Sequence, residues 1–424
     1  MGEQRSSPRA ALEVEQPVVS GEETGRGSDA AGDVLLWVEP ALDAPSGGLR
    51  YNQQVREALS RCGVNSRVLS LRGSWPHPSE EEAASAVEQL HRAEGGSGVR
   101  AVIVDGLIGG CVPELLEVHG EDRAYGGTAS AVLLVHLCLA GAAQAELAAR
   151  SDGGSSGAPE SEEPPDLGRE RRAVEAAETV LTTSHWSAED LRRRYGRGDA
   201  VVAVPGTRRA GADDMRSERG GQEDLREGSA AAGERCGSGR VLRLTCVASM
   251  NLLKNQRFLA EVLESLQDVD WTLTLAGAGA DTAYGRSVLA DLRRRLPRRV
   301  EHRGVLEAED LRALWSATDL LLLPSRLETY GMVVTEACAN GVPAFVSAGT
   351  GAEEALGEAE ESSGWALPLD EPQSWTRAIR DFLTEPSVRA ALADGVSRRR
   401  VVLPTWEQSA KVIASAAGLG GSGG

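Results

Sequence analysis

Leu323-Pro-Ser-Arg-Leu-Glu-Thr-Tyr-Gly-Met-Val-Val-Thr-Glu336 is the stretch on which the fold turns. The run that leads into it, Leu320-Leu-Leu-Leu323, is short and continuously apolar, the pattern of a strand buried on both faces. Pro324 ends that run, and a polar loop carries Glu328. Gly331 lets the backbone turn tightly. Met332–Ala339 reads as a helix, stopped by Asn340-Gly341 and Pro343. In a strand–turn–helix unit of this kind the helix starts where the carboxyl end of the strand opens. The N–H groups of Tyr330, Gly331 and Met332 are then left without intrahelical partners. Such a helix start attracts an anion. The two nearby carboxylates, Glu328 and Glu336, do not suit a bare phosphate, but they accept hydrogen bonds from hydroxyls. A ligand carrying both phosphate and sugar, such as a nucleotide sugar, fits the combination. The competing reading is a solvated glutamate pair flanking an ordinary helix.

The alternation extends both ways from this segment. Toward the N-terminus lie strands at Leu242–Val247 and Trp271–Leu275 and helices at Phe258–Leu266, Tyr284–Leu296 and Asp310–Ala317. Beyond it lies a strand at Ala344–Ser347, and Thr405 with Gln408 forms a capping box for a last helix through about Ala417. The first half repeats the rhythm, with strands at Asp33–Val38, Arg67–Leu71, Val99–Val104 and Ala131–Val135 and helices at Tyr51–Cys62 and Ala84–Arg92. Strands alternating with helices imply parallel sheets covered on both faces. Ser151–Leu167 and Gly206–Arg240 lack periodicity and read as a low-complexity insertion and a low-complexity linker. The expected organisation is therefore a disordered tail (1–32), an N-terminal Rossmann-like domain (33–205) with an insertion at 151–167, and a linker (206–240). A C-terminal Rossmann-like domain (241–400), a final helical segment (401–418) and a flexible tail (419–424) follow. Ligands bind such sheets beyond the carboxyl ends of the strands, so two facing units would enclose a cleft.

Three further signals sit at strand ends. Val247-Ala-Ser-Met-Asn-Leu-Leu-Lys254 follows a strand and brings Ser249 and Lys254 to the cleft side. Lysine is rare here, Lys254 and Lys411 being the only two, and Lys254 is placed to meet a diphosphate as a point charge. Its alternative is a surface lysine at a helix start. Pro45-Ser-Gly-Gly-Leu-Arg-Tyr-Asn52 is a glycine-rich turn in which Gly47 and Gly48 permit close approach of a ligand. An ordinary β–α turn explains it equally well. His136 directly follows the fourth strand and could contact a sugar or move a proton; the alternative is a structural histidine. Asp105-Gly106, at another strand end, carries the same weaker suggestion. Gly277-Ala-Gly279 lacks the third glycine of a dinucleotide fingerprint, because Thr282 stands there. Asp268-Val-Asp270 precedes a strand and reads as a turn, and Arg293–Arg299 as a solvated helix end.

Composition narrows the partners. The 424 residues carry 45 Lys plus Arg against 63 Asp plus Glu, a formal net charge of -18. That charge argues against a nucleic-acid binder and against docking on anionic lipid through a basic face. Hydrophobic residues make up 41%, enough to build real cores. The six cysteines form no C-x-x-C pair and read as reduced, mostly buried thiols rather than metal ligands. No apolar stretch reaches the length of a transmembrane segment, and the acidic N-terminus lacks the pattern of a signal peptide. The expected location is the cytoplasm.

From Asp33 to about Ala417, excepting the two insertions, the chain resembles the GT-B glycosyltransferases of family 4. The resemblance rests on Glu328–Glu336 with Ala337 and Asn340-Gly-Val-Pro343, on Gly47–Asn52, and on Val104-Asp-Gly-Leu107. It rests also on Thr182–His185, Val204-Pro-Gly206 and Leu403-Pro-Thr-Trp-Glu-Gln-Ser409, all in the right order. It implies an α/β fold of two Rossmann-like domains facing a cleft, with a C-terminal helix crossing back to the first domain. It implies sugar transfer from a nucleotide diphosphate sugar, with retention of configuration and without a metal or other cofactor, to an unknown glycan, lipid or small-molecule acceptor. By match, Lys254 binds the diphosphate, Glu336 the ribose and Glu328 the donor sugar. Gly331 and Met332 offer N–H groups, with Thr329 and Tyr330 beside them. His136 stands near the reaction centre, and Gly48 meets the diphosphate from the other domain. Leu253 stands where the subgroup has Arg, Thr329 where it has Gly and Leu137 where it often has a second His. A catalytically weakened sugar-nucleotide-binding member, or a nucleotide-sugar epimerase or phosphorylase on the same fold, is the alternative.

Overall fold

The computed structural model describes residues 34–42, 46–95, 98–121, 129–152, 167–208 and 240–419. The 1–32 tail, most of the 151–167 insertion and of the 206–240 linker, and residues 420–424 lie outside the described residues.

Among the described residues, twelve strands form two six-stranded sheets. The first holds β1 (Val34–Pro40), β2 (Asn65–Leu71), β3 (Val99–Asp105), β4 (Ser130–Val135), β5 (Thr179–Thr182) and β6 (Val201–Val202). The second holds β7 (Leu242–Val247), β8 (Trp271–Ala276), β9 (Val300–His302), β10 (Leu320–Leu323), β11 (Ala344–Ser347) and β12 (Gly364–Leu367). Every strand pair is parallel. The apolar runs follow from burial on both faces: Leu320–Leu323 are all within 1% of full burial.

The two units share the doubly wound plan but not the strand order. The first sheet runs β2-β1-β3-β4-β5-β6, and the second β12-β11-β10-β7-β8-β9. Read from the far edge, the second is the dinucleotide-binding order, whereas the first is the flavodoxin-like order. Strand order therefore reverses between β1 and β3 in the first unit and between β7 and β10 in the second. Ligand crevices open at such switch points. Gly47–Gly48 and Asp105 lie just past β1 and at the end of β3; Lys254 and Glu328 lie past β7 and β10.

The last helix, Trp406–Ala416, crosses back as the resemblance implies. Trp406, Ala410 and Ile413 join Leu35, Trp37, Tyr51 and Val55 in one buried cluster of the first unit. Thr405 accepts from the N–H of Gln408, whose side chain answers to the Thr405 N–H, completing the expected capping box. The preceding helix runs Pro386–Val402, so the crossing itself begins after Val402.

Two expectations need correction. The helix expected from Tyr51 begins at Gly47, because the Ser46 side chain accepts from the Leu49 N–H and caps it there. The glycines are thus its first turn rather than a loop. Arg299, expected on a solvated helix end, donates to the carbonyls of Val269 and Trp271 at 2.7 and 3.1 Å. Its guanidinium also lies 4.8 Å from the Trp271 ring centroid, which ties the turn between the helix Ala283–Arg295 and β9 to β8.

Candidate active site

A cavity of about 490 Å³ opens between the two sheets, a size suited to a small organic ligand. His136, Glu328, Gly47, Gly48, Ser249, Lys254, Thr329, Tyr330, Gly331, Met332 and Glu336 all line it. The structure thus brings these candidate residues to one cavity; Asp105, the weaker candidate, does not line it and lies behind His136.

On the C-terminal wall, Lys254 follows a turn in which Asn251 Oδ1 accepts from its backbone N–H at 3.0 Å. Its Nζ reaches Glu328 Oε1 at 2.5 Å, and Ser325 Oγ donates to the same oxygen at 2.9 Å. Glu328 is 8% exposed, so Lys254 and Ser325 offset the cost of a buried carboxylate. Gly331 caps the helix Met332–Ala339 with φ +80°, a conformation that disfavours any side chain, and no side chain caps the helix start. Gly331, Met332 and Val333 line the cavity, so the helix start borders it. Tyr330 is 2% exposed and packs in the C-terminal core, so it meets the cavity through its backbone. Glu336, one turn on, pairs with Arg50 Nη1 of the opposite wall at 2.9 Å. Burial pushes the Glu336 carboxyl up from the ordinary range, and Arg50 opposes the shift.

The N-terminal wall is a buried polar network. Asn52 Nδ2 donates to Glu39 Oε2 at 3.2 Å and to Asp105 Oδ2 at 3.1 Å. Arg56 Nη1 reaches Glu39 Oε2 at 2.5 Å. Asp105 Oδ1 accepts from the Leu107 N–H at 2.9 Å. His136 Nε2 stands 2.8 Å from Asn52 Oδ1 and 3.6 Å from Asp105 Oδ2. Because two carboxylates fix the Asn52 amide with its NH2 toward them, its oxygen must accept. His136 therefore carries its proton on Nε2, which leaves Nδ1 as the lone-pair nitrogen. Burial lowers the affinity of the ring for a second proton, while Asp105 and Glu39 act against that, and the net shift is downward. Tyr51 packs edge-on against the ring at 5.2 Å. A Cβ on Gly48 would lie 3.0 Å from His136 Cδ2, so the glycine is where the helix start passes over the imidazole.

Sequence reasoning assigned no role to Arg50, Asn52, Glu39, Arg56 or Ser325. Arg50 and Asn52 sat inside the quoted Gly47–Asn52 motif and Ser325 inside the quoted Leu323–Glu336 stretch; Glu39 and Arg56 gave no signal, since each acquires its partner only through folding. Gly277, rejected as part of a dinucleotide fingerprint, nevertheless lines the cavity with Ala276 and Ala278, because β8 neighbours β7 and opens into the same crevice. Among the described residues, no helix is long and apolar enough to cross a membrane.

Residues 241–398 match the family model described as glycosyl transferases group 1. A D-inositol 3-phosphate glycosyltransferase of Corynebacterium urealyticum is 25% identical over 253 residues, 58% of this chain. The match spans only 57% of that relative's length. A protein of the same description from Kineococcus radiotolerans is 26% identical over 84% of this chain and 86% of its own. Among solved structures, sucrose-phosphate synthase from Thermosynechococcus elongatus superposes with a TM-score of 0.68 at 19% identity, covering 90% of this chain and 98% of that one. HepE of Anabaena, solved in complex with UDP and glucose, has a TM-score of 0.61 at 18% identity, with coverage of 90% and 98%. These likenesses show the GT-B fold.

Proposed function

We propose, on the premise that this chain belongs to the glycosyl transferases group 1 family through residues 241–398, that it is a retaining glycosyltransferase. It would take a nucleotide diphosphate sugar as donor. The observation that carries the reading is the convergence of Lys254, an uncapped helix start, Glu328, Glu336 and His136 on one interdomain cavity.

In this reading the diphosphate meets Lys254 Nζ and the N–H groups at Gly331 and Met332. No metal is assigned, since these groups supply the positive field. Lys254 exchanges its bond to Glu328 for the diphosphate, which frees Glu328 to accept from donor-sugar hydroxyls. Glu336 accepts from the ribose. The C1–O bond to the diphosphate breaks, and the C1–O bond to the acceptor forms on the same face. The acceptor's proton passes to the departing phosphate oxygen, so atoms and charge balance. The neutral His136 borders this space and can take a hydrogen bond at Nδ1 from a sugar hydroxyl. A reducing compartment such as the cytoplasm is part of the reading, supported by the free thiols of Cys62, Cys111, Cys138, Cys246 and Cys338.

The test is a thermal-shift screen with UDP, GDP, ADP and their sugars, followed by measurement of released nucleoside diphosphate with candidate acceptors. UDP is the first base to try, as HepE binds it, and inositol phosphates belong in the acceptor panel beside glycans and lipids. A hundredfold excess over Kd adds about 2.7 kcal/mol of stability. Stabilisation by one nucleotide and acceptor-dependent release of its diphosphate are expected. Donor conversion without net diphosphate release would instead make the protein an epimerase, and absence of any shift would reject the donor site.

A further inference from the structure

Arg50 stands in the first turn of the helix that begins at Gly47, on the N-terminal wall. Its Nη1 crosses the cavity to Glu336 Oε1 at 2.9 Å. The arginine side chain is 55% exposed and the glutamate 20%, so the charge comes from the solvent side to a carboxylate set deeper in the wall. We propose that Arg50 is a positioning residue for Glu336, holding its carboxylate across the domain boundary in the orientation that receives the ribose hydroxyls. This rests on the reading of the cleft as a nucleotide-sugar site.

Three observations carry it. A carboxylate has acceptor sites for about four hydrogen bonds, so Arg50 on Oε1 leaves capacity for hydroxyls. The wall around Glu336 is desolvated enough to penalise its charge, and Arg50 is the cation that offsets the penalty. The approach of Arg50 also depends on a seated seam. Met332 packs against the N-terminal cluster that contains Tyr51 and Trp406. Its Cε lies 3.5 Å from where a Gly47 Cβ would stand. Ser184 Oγ, from the N-terminal unit, donates to the Thr329 carbonyl. Arg50 reaches Glu336 only while these surfaces meet, so nucleotide recognition becomes sensitive to closure of the two domains.

The experiment compares the binding of UDP and 2′,3′-dideoxy-UDP to the wild type, Arg50→Met, Arg50→Lys and Glu336→Gln, alone and with Arg50→Met. Arg50→Met is expected to weaken UDP roughly three- to fivefold, near the top of the range for an exposed charge pair. The same variant should leave dideoxy-UDP within about twofold, a change below 0.5 kcal/mol. Arg50→Lys should recover most of the loss, and Arg50→Met should add nothing to Glu336→Gln. Equal weakening of both nucleotides would assign Arg50 to the phosphates or to the fold and overturn the proposal, as would an unchanged UDP affinity. A wild type that binds no nucleotide at all would overturn the donor-site reading itself, and this inference with it.

Discussion

The two walls of the cleft use charge in opposite ways. On the C-terminal wall Lys254 and Glu328 meet at the cavity edge as a pair, with Lys254 27% exposed. On the N-terminal wall Glu39, Asn52 and Asp105 are at most 8% exposed and form bonds among themselves and with Arg56 and His136. Glu328 is as buried as Glu39, but its partner Lys254 is reached by water and ligand and can change partners when a ligand arrives, while Ser325 still donates to the carboxylate. A buried network cannot, since breaking one bond strands the rest at the full desolvation cost. The first arrangement suits a wall that binds and releases a charged ligand. The second suits a wall that holds a single ring in one protonation state.

The contrast is broken most severely at Glu328. Glu328→Gln keeps the shape but loses two strong acceptor sites and the charge paired with Lys254. Turnover should fall by roughly 100-fold or more, the loss usual for a preorganised group facing developing charge. Donor affinity, measured by calorimetry, should stay close to wild type. Normal turnover would remove Glu328 from the chemistry. Lys254→Ala tests the other half of the pair. A charge-assisted bond contributes about 1.5–3 kcal/mol, so the nucleotide Kd should rise roughly 10- to 100-fold. An unchanged Kd would mean that the lysine serves only Glu328. On the opposite wall, Asn52→Leu should lower turnover about tenfold through a misoriented His136, while nucleotide affinity moves less than about twofold. If Asn52→Leu instead weakened nucleotide binding as much as Lys254→Ala, the division of labour between the walls would fail.

The same difference explains what could be read from the chain. The C-terminal wall is written locally: Leu320–Leu323, Glu328, Gly331 and the helix Met332–Ala339 follow one another, and both elements stand within their expected bounds. Burial on both faces makes the strand a plain apolar run, and Asn340-Gly341 marks the helix end. The N-terminal wall is assembled from residues 39 to 136, at the ends of different strands or along the helix Gly47–Arg61, with no local pattern joining them. His136 was visible only as a polar residue after an apolar run; its partner Asn52 had no signal separate from the glycines before it. β6 and β9 gave no strand signal because they span two and three residues, too short for a pattern to register; β5 (Thr-Val-Leu-Thr) and β12 (Gly-Trp-Ala-Leu) are as long as β10 but lack its continuous run of large apolar residues. The doubly wound plan was legible from alternation, but the different strand orders were not, since pairing order depends on tertiary contacts rather than on sequence order.

The finest test of the comparison is a titration. In the neutral range His136 is neutral, with its proton on Nε2 toward Asn52 Oδ1. A second proton would have to settle on Nδ1 and would remove the lone pair offered to the substrate. Burial disfavours that protonation, so the acid limb of kcat against pH should lie below the ordinary histidine value of about 6.5. Asp105 works in the other direction, because its negative charge stabilises the imidazolium. Asp105→Asn removes that charge, so the limb should move further toward acid, by roughly half to one pH unit. Glu39→Gln should move it the same way but less, since Asp105 has the larger effect on the ring and Arg56 already neutralises Glu39. A limb that shifted toward alkali in Asp105→Asn would mean that the carboxylate does not face a protonating histidine. A limb that stayed still in both variants would assign the acid transition to a group on the C-terminal wall, making that wall the seat of both binding and proton control.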